Sequence, residues 1–224
     1  MREDEFLQEL KKININISDE QINMLKIYKN YLQSQNELYN LTALISDEDI
    51  YLKHFYDSIV VSKYYNFNDI KSIADIGTGA GFPGLILKIF FPNLKVYLVD
   101  SNGKKIKFLN ELIKLLNLNQ IVTINSRIEN LNIKTDAVIA RAVGSISYLA
   151  ELSYNVYQKD LILMRGRKEE ISQNLLNSLN LEIIKKEEYL LPVTKDIRNI
   201  IVFNKKIHNV KYPRKYILIK KQSL

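Results

Sequence analysis

The spacing of apolar and polar residues divides the chain into two parts. In the first part the apolar residues recur every three or four positions, which predicts helices. Ser18 and Gln21 form a capping-box pattern that marks a helix start, and Ser46 precedes an acidic first turn. Residues 1–65 are therefore predicted to form an N-terminal helical cap. The residues that set this spacing in the longest segment are Ile22, Leu25, Tyr28 and Leu32.

From residue 71 onward, short apolar runs alternate with amphipathic segments. Alternating strands and helices favour a mainly parallel sheet that is covered on both faces. Two final runs, LEIIKKEEYLL and RNIIVFNKK, predict a closing antiparallel pair. Residues 66–224 are thus expected to form one α/β domain, doubly wound and Rossmann-like, with a basic C-terminal tail. The predicted strands are KSIADIG, LKVYLVD, QIVTIN, DAVIARA and DLILMRG, and ISYLAELSYNVY (146–157) is predicted as a helix.

A glycine-rich loop follows the first predicted strand in the segment IADIGTGAGFPGLILKIF (73–90). Gly77, Gly79 and Gly81 would lie at the carboxyl edge of the sheet, where open α/β folds bind ligands. Glycine allows backbone angles and close approaches that other residues do not. The alternative is a tight turn with no ligand, which the strand–glycine–helix context makes the weaker interpretation.

Three classes of ligand use such loops. A triphosphate loop needs a lysine after its last glycine, but Leu85 follows Gly84. A dinucleotide loop needs a third glycine where this chain has Phe82. S-adenosylmethionine (AdoMet) has no phosphate, so a large apolar residue is acceptable there. The loop therefore favours AdoMet over a nicotinamide dinucleotide.

Asp100 ends the second predicted strand. An acidic residue at this place can accept hydrogen bonds from both ribose hydroxyls of a nucleoside. The alternative is that Asp100 only caps the next helix. Its position directly after the apolar run VYLV favours the ligand role.

The net charge of +7 is concentrated at the C-terminal end. Residues 197–224 contain eight lysines and arginines and no acidic residue. Such a cationic segment is typical of a surface that binds a polyanion such as RNA, whereas a lysine-rich composition alone explains it less well. The candidate RNA-phosphate contacts are Arg198, Lys205, Lys206, Lys211, Arg214 and Lys215.

Composition excludes several other classes. The chain has 224 residues, 46% of them hydrophobic, and no cysteine, so neither disulfides nor iron–sulfur ligation is expected. The two histidines are far apart and predict no metal site. No apolar run reaches the length of a membrane span, and the charged start MREDEFLQEL lacks a signal core, so a cytoplasmic protein without membrane contact is expected.

Several motifs together resemble one family. NLTAL, YLKHFYDSI, DIGTGAGFPGL, VDSNGKKIKFL, ARAV and YPRK occur in the order typical of RsmG, the bacterial 16S ribosomal RNA guanine-N7 methyltransferases formerly called glucose-inhibited division protein B. The resemblance runs from about residue 20 to the C-terminus. It implies a class I AdoMet-dependent methyltransferase fold, AdoMet as cofactor, and methylation of guanine N7 in the 530 loop of 16S ribosomal RNA.

The resemblance also implies roles for individual residues. Gly77 and Phe82 would line the methionine end of AdoMet, Ile128 and Glu129 would bracket the adenine, and Arg141 would lie beside the cofactor. The chain departs from the family pattern at Ile128, where alanine is common, and at Arg165, where lysine is common. The complete set of expected cofactor contacts is Gly77, Thr78, Gly79, Phe82, Asp100, Ser101, Ile128, Glu129 and Arg141.

The sequence lacks the groups that other base methylations use, and methylation of guanine N7 does not need them. Without cysteine there is no covalent route to carbon-5 of pyrimidines, and without a Pro-Pro loop the usual route to exocyclic amines is missing. N7 carries a free lone pair, so alignment can supply most of the catalysis. Arg141 is a hypothetical positioning residue that donates to guanine O6; bracing the loop or contacting a phosphate are equal alternatives.

Other assignments remain expectations. His54 is expected to pack between helices rather than face the cleft, and Asp57 to brace an arginine or lysine. We expect a monomer that acts on 16S ribosomal RNA, free or in a small-subunit particle. A methyltransferase for small molecules or proteins, an RNA-binding module without activity, and an NAD-dependent oxidoreductase are the alternatives; Phe82 disfavours the last.

Overall fold

A seven-stranded mixed sheet organises the chain in the computed structural model, which describes residues 1–166, 169–221 and 224. The strand order is β3-β2-β1-β4-β5-β7-β6, with β1 to β5 parallel and β7 antiparallel to both its neighbours. The predicted mainly parallel, doubly wound sheet with an antiparallel closing pair is confirmed. The strands are β1 (Ser72–Ile76), β2 (Lys95–Asp100), β3 (Ile121–Asn125), β4 (Thr135–Arg141), β5 (Tyr157–Arg165), β6 (Leu181–Leu190) and β7 (Ile197–Lys205).

Helices cover both faces of the sheet. The second helix begins as predicted: the Gln21 backbone N–H donates to Ser18 Oγ at 3.2 Å, and the Ser18 N–H donates to Gln21 Oε1 at 2.9 Å. Residues 47–63 are continuously helical, with a π-helical stretch (Ile50–Tyr56) and a final 3-10 turn (Val60–Lys63). The α-helices are α1 (Glu3–Lys12), α2 (Asp19–Tyr39), α3 (Asp47–Asp49), α4 (Asp57–Ile59), α5 (Gly84–Phe90), α6 (Gly103–Leu115), α7 (Ile146–Leu152), α8 (Gln173–Leu179) and α9 (Tyr216–Lys221).

The helix predicted over 146–157 is too long and is a correction. It ends at Leu152, and Tyr157 already pairs with β4 as the first residue of β5. Ser153 Oγ donates to the Leu149 carbonyl at 2.6 Å, a local bond that competes with further helix. The chain then turns and enters the sheet, where the Tyr157 side chain is fully buried.

Two apolar clusters lie on opposite faces of the sheet. One joins the N-terminal helices to α5 and α6, with Phe55 and Phe108 fully buried in it; the other joins α7 and α8 to the sheet around Tyr157 and Phe203. The first cluster contains residues from both sides of the boundary predicted at 65–66, and that boundary stays a prediction. In the described ranges, no helix has the length and apolar character that crossing a bilayer requires.

Candidate active site

The glycine loop has a geometry that only glycine tolerates at its first position. Gly77 has φ +70°, and a Cβ placed there would lie 2.5 Å from Val143 Cγ2. The backbone N–H groups of Gly77 and Thr78 both donate to the Val99 carbonyl, at 2.9 and 3.0 Å. These bonds fix the start of the loop to β2, and Ile76, the last residue of β1, borders a cavity.

A buried carboxylate holds the loop from below. Asp75 Oδ2 accepts hydrogen bonds from Thr78 Oγ1 at 2.6 Å and from the Gly84 N–H at 2.8 Å. Burial raises the pKa of Asp75 to about 6. Thr78 is itself buried with its hydroxyl committed to Asp75, so its side chain braces the loop and lines neither of the two cavities described below.

Asp100 joins the glycine loop to the following loop. Its Oδ2 accepts from the Gly79 N–H at 2.9 Å and its Oδ1 from the Asn102 N–H at 2.8 Å. Each carboxylate oxygen keeps further lone-pair capacity, which a ribose hydroxyl can use. Asn102 caps α6, since its Oδ1 accepts from the Lys104 N–H at 2.9 Å. The alternative in which Asp100 caps that helix is therefore wrong.

These residues border a cavity of about 370 Å³, which we call the loop cavity. Its size lies in the range of small-molecule sites. Asp100 and Glu129 supply two carboxylates and Arg127 one cation among the described lining residues, a balance that suits a cationic nucleoside better than a pyrophosphate. The predicted contacts that line it are Gly77, Asp100, Ser101, Ile128 and Glu129. The lining residues that were not predicted are Ile76, Val99, Ser126, Arg127, Val143, Tyr148 and Tyr216.

The C-terminal segment reaches the loop cavity through Tyr216. Arg214 brings it there by a bidentate ion pair with the fully buried Glu151, with two N···O distances of 2.7 Å. Tyr148 on α7 lies beside Tyr216, and burial together with the neighbouring Tyr216 hydroxyl raises the pKa of Tyr148 to about 12. No spacing in the sequence signals this contact, because it joins two helices that are distant along the chain.

Phe82 was expected to line the methionine end of AdoMet, but its ring does not line the loop cavity. Only 5% of Phe82 is exposed, and the ring stacks between His54 at 4.4 Å and Tyr28 at 5.2 Å, measured between centroids. The Tyr28 hydroxyl donates to the carbonyl of Ala80. The aromatic residue of the loop thus attaches it to the N-terminal helices. Gly79 likewise gives its N–H to Asp100 and is not among the lining residues.

A second cavity of about 330 Å³ lies between residues 47–63 and the carboxyl ends of β4 and β5. We call it the arginine cavity. Arg141 and Ala142 line it, whereas the next residue, Val143, lines the loop cavity, so the two cavities are neighbours along this short segment. Arg141 was expected to contact the cofactor, and the structure places it in the lining of the neighbouring cavity. The charged and polar lining residues are Lys53, His54, Asp57, Arg141, Arg165 and Arg198.

Asp57 is the anion at the centre of this cavity. It lies 3.3 Å from Arg141 Nη1 and 3.4 Å from Arg198 Nε, and it accepts a hydrogen bond from the Tyr189 hydroxyl at 2.9 Å. Arg141 Nη1 also donates to the Lys53 carbonyl at 2.9 Å. The prediction that Asp57 braces an arginine is confirmed, and its partners come from β4, β6 and β7.

His54 combines both roles that the sequence left open. It is buried and stacked on Phe82, and it also lines the arginine cavity. Burial, aided by the charge of Arg141, lowers its pKa to about 3, so the imidazole is uncharged at neutral pH. Its Nε2 lies 3.1 Å from Thr42 Oγ1, and Nδ1 has no hydrogen-bond partner within the part of the chain that the structure describes.

The basic tail does not form one continuous RNA-facing surface. Lys205 is a correction: it is 9% exposed, lies 4.1 and 4.2 Å from the ring centroids of Tyr154 and Tyr157, and donates to the carbonyls of both. Burial lowers its pKa to about 8. The remaining predicted cations are divided, since Arg198 lines the arginine cavity, Arg214 binds Glu151, and Lys206, Lys211 and Lys215 lie exposed on the surface.

Comparison with protein families decides the relationship. A sequence model described as "rRNA small subunit methyltransferase G" (GidB) matches residues 21–208. The chain belongs to this family. Proteins named ribosomal RNA small subunit methyltransferase G are 38% identical in Oceanobacillus iheyensis, over the whole of both chains, and 41% identical in Mycoplasma capricolum, over 94% of each.

Solved structures agree on the fold of this GidB chain. Magnesium protoporphyrin IX methyltransferase from Synechocystis, with bound AdoMet, has a TM-score of 0.58 at 14% identity, over 85% of this chain and 99% of that one. M. capricolum TrmK in complex with S-adenosylhomocysteine has a TM-score of 0.53 at 22% identity, over 75% of each. The fold is that of class I AdoMet-dependent methyltransferases.

Proposed function

We propose that this GidB-family protein transfers a methyl group from AdoMet to N7 of a guanine in 16S ribosomal RNA. The observation that carries the proposal is the pair of cavities that share the segment 141–143 at the carboxyl edge of the sheet. One is bordered by a strand-end carboxylate and a glycine loop, and the other by arginines. Family membership supports ribosomal RNA as the substrate class.

The loop cavity is the proposed AdoMet site. Asp100 would hold the ribose, Ile128 and Glu129 would flank the adenine, and Gly77 leaves room for the methionine part because it has no Cβ. When bound, AdoMet supplies a methyl group on a positively charged sulfur. The carboxylates of Asp100 and Glu129 favour such a cation over an anionic cofactor.

The arginine cavity is the proposed site for the guanine. Its cationic lining suits a nucleotide, because lysines and arginines contact the phosphates and the base enters the cavity. N7 attacks with its own lone pair and loses no proton, so no general base is needed. The groups present agree with this chemistry, because His54 is uncharged and Asp57 is already engaged by Arg141, Arg198 and Tyr189.

Arg141 is the proposed positioning residue of this cavity. Its Nη1 is shared among Lys53, Asp57 and Ser58, which supports the bracing role over direct contact with the base. Replacing Arg141 with alanine should lower methylation and leave the fold intact. Full activity of Arg141→Ala would remove Arg141 from the mechanism.

Finer aspects of the proposal concern the substrate particle and the assembly. We propose a monomer that acts in the cytoplasm on ribosomal RNA, either free or in a small-subunit particle. Methylation rates on deproteinised 16S ribosomal RNA and on isolated small subunits separate the two substrates. Light scattering during gel filtration measures the mass.

The decisive experiment maps 7-methylguanine in ribosomal RNA. RNA from cells lacking this protein is incubated with the purified protein and labelled AdoMet, and the modified position is located by cleavage at 7-methylguanine. A single modified guanine in 16S ribosomal RNA is expected. Label that enters a small-molecule or protein fraction instead would favour the alternative substrate classes.

A further inference from the structure

Arg165 presents hydrogen-bond donors that no described residue accepts. It ends β5, lines the arginine cavity and is only 6% exposed. Its Nη2 has no partner within residues 1–166, 169–221 and 224, and its Nε lies 3.5 Å from the Glu169 carboxylate without a hydrogen bond. Buried N–H groups of this kind cost free energy unless a ligand accepts them.

The other cations of the arginine cavity have protein partners. Arg141 and Arg198 both contact Asp57, and the Lys53 ammonium lies 2.8 Å from Asp49. Arg165 therefore differs from its neighbours: within the described ranges it is the lining cation whose buried donors include one, Nη2, without a partner. His54, which also lines this cavity, has a second buried polar atom, Nδ1, without a partner among the described residues.

The rest of the Arg165 guanidinium is fixed beside the loop cavity. Its Nη1 donates to the carbonyls of Val143 and Gly144 at 2.9 and 2.7 Å, and Val143 lines the loop cavity. A group that accepts a bond from Nη2 would thus lie near the boundary between the two cavities. With AdoMet in the loop cavity and the guanine in the arginine cavity, the methyl-accepting nitrogen lies at this boundary. The atom next to that nitrogen then lies there too.

We infer that Arg165 donates a hydrogen bond to O6 of the guanine that accepts the methyl group, and thereby selects guanine over adenine. The inference rests on the proposed function. O6 and N7 are neighbours on one edge of guanine, whereas adenine presents an amino donor at the position of O6. Arg165 must leave N7 free, so it contacts O6 alone.

The contact should act on binding and selection rather than on the chemical step. In the reaction the N7–carbon bond forms, the carbon–sulfur bond breaks, and the positive charge moves from sulfur to the base. The attraction between a guanidinium and O6 does not grow when the base becomes cationic, so the contact does not stabilise the transition state more than the ground state. Loss of Arg165 should therefore raise KM more than it lowers kcat.

The test compares two RNAs and three proteins. One 16S ribosomal RNA carries the guanine mapped as above, and the other carries 2-aminopurine there, which retains N7 and lacks O6. For the wild type, kcat/KM is expected to be about 10- to 100-fold lower on the 2-aminopurine RNA, the effect of a charged hydrogen bond. For Arg165→Met, the kcat/KM values on the two RNAs should differ by no more than about threefold, because this variant has already lost the contact with O6.

Arg198→Met is the matched control, since Arg198 lines the same cavity with its guanidinium on Asp57. This variant should keep the wild-type preference for guanine. The inference is overturned if Arg165→Met keeps that preference too. The wild type alone can also overturn it, by methylating both RNAs equally, so the test survives a poorly folded variant. Failure of the proposed function looks different, because the wild type would not methylate the guanine RNA.

Discussion

The loop cavity and the arginine cavity are neighbours that are built in different ways. The loop cavity takes its shape from the backbone. Gly77 has a positive φ, and the backbone N–H groups of Gly79 and Asn102 donate to the Asp100 carboxylate. The arginine cavity takes its shape from side chains that meet at Asp57 from distant strands. We therefore expect substitutions in the two cavities to separate cofactor binding from methyl transfer.

The largest effect is expected from Gly77→Ala. The added Cβ would lie 2.5 Å from Val143 at φ +70°, so the loop must move. Strain and overpacking of about 3 kcal/mol together should weaken AdoMet binding about 100-fold in calorimetry. Gly103→Ala is the matched control, because its Cβ meets nothing closer than 3.5 Å and it lies on α6. Equal affinities for both variants would contradict the backbone account.

Asp100→Asn should weaken AdoMet binding about 10- to 30-fold, with RNA affinity unchanged. The amide removes a charge-assisted acceptor, and one end of it would face a backbone N–H. Calorimetry with AdoMet and filter binding with RNA measure the two affinities. Asp19→Asn, on the exposed first turn of α2, is the control that changes the same charge elsewhere. A loss of RNA affinity in Asp100→Asn would show that the cavities are not separable.

Acidification should destabilise the arginine cavity through His54. Its pKa is about 3 in the fold and about 6.5 when unfolded, so between these values the unfolded chain binds more protons and stability falls as pH falls. At pH 5 the loss is about 2 kcal/mol.

Urea unfolding of the wild type and of His54→Phe at pH 7 and pH 5 isolates this contribution. The variant is needed because Asp75, whose pKa is raised to about 6, acts in the opposite direction: its stabilising effect is present at low pH and is lost as pH rises. Identical pH dependence in both proteins would mean that His54 is not buried as the structure has it.

Asp57→Asn should lower methylation about tenfold and leave AdoMet affinity within about twofold. Arg141 and Arg198 would lose their shared anion and repel each other, so the arginine cavity would lose its shape. Single-turnover methylation and calorimetry measure the two quantities. Asp49→Asn, which removes only the partner of Lys53, is the control and should change methylation less.

The smallest effect is expected on the RNA-binding surface. Removing Lys206, Lys211 and Lys215 together should weaken RNA binding a few-fold and reduce the slope of log affinity against log salt by about 2. Lys205→Met should leave that slope unchanged, because its ammonium is buried between Tyr154 and Tyr157. A similar change of slope in both variants would contradict the division of the basic tail.

Local pattern determined the order of strands and helices, the glycine loop and the strand-end carboxylate. These features depend on residues close in sequence: a capping box spans three residues, and a glycine loop follows its strand directly. Gly77 and Asp100 could therefore be predicted from the pattern, whereas Ser101, Ile128 and Glu129 were expected from the family resemblance, and the structure brings all five to one cavity.

Tertiary packing alone decided the remaining roles. Phe82 joins the N-terminal helices, Lys205 is buried, Tyr216 returns to the loop cavity, and Arg165 keeps a buried donor without a partner among the residues that the structure describes. None of these outcomes follows from spacing, because each depends on which side chain, distant in sequence, packs against a buried charge or a ring in the folded chain. A cationic run in a sequence states how much charge is present, whereas only the fold determines which of those charges face the solvent.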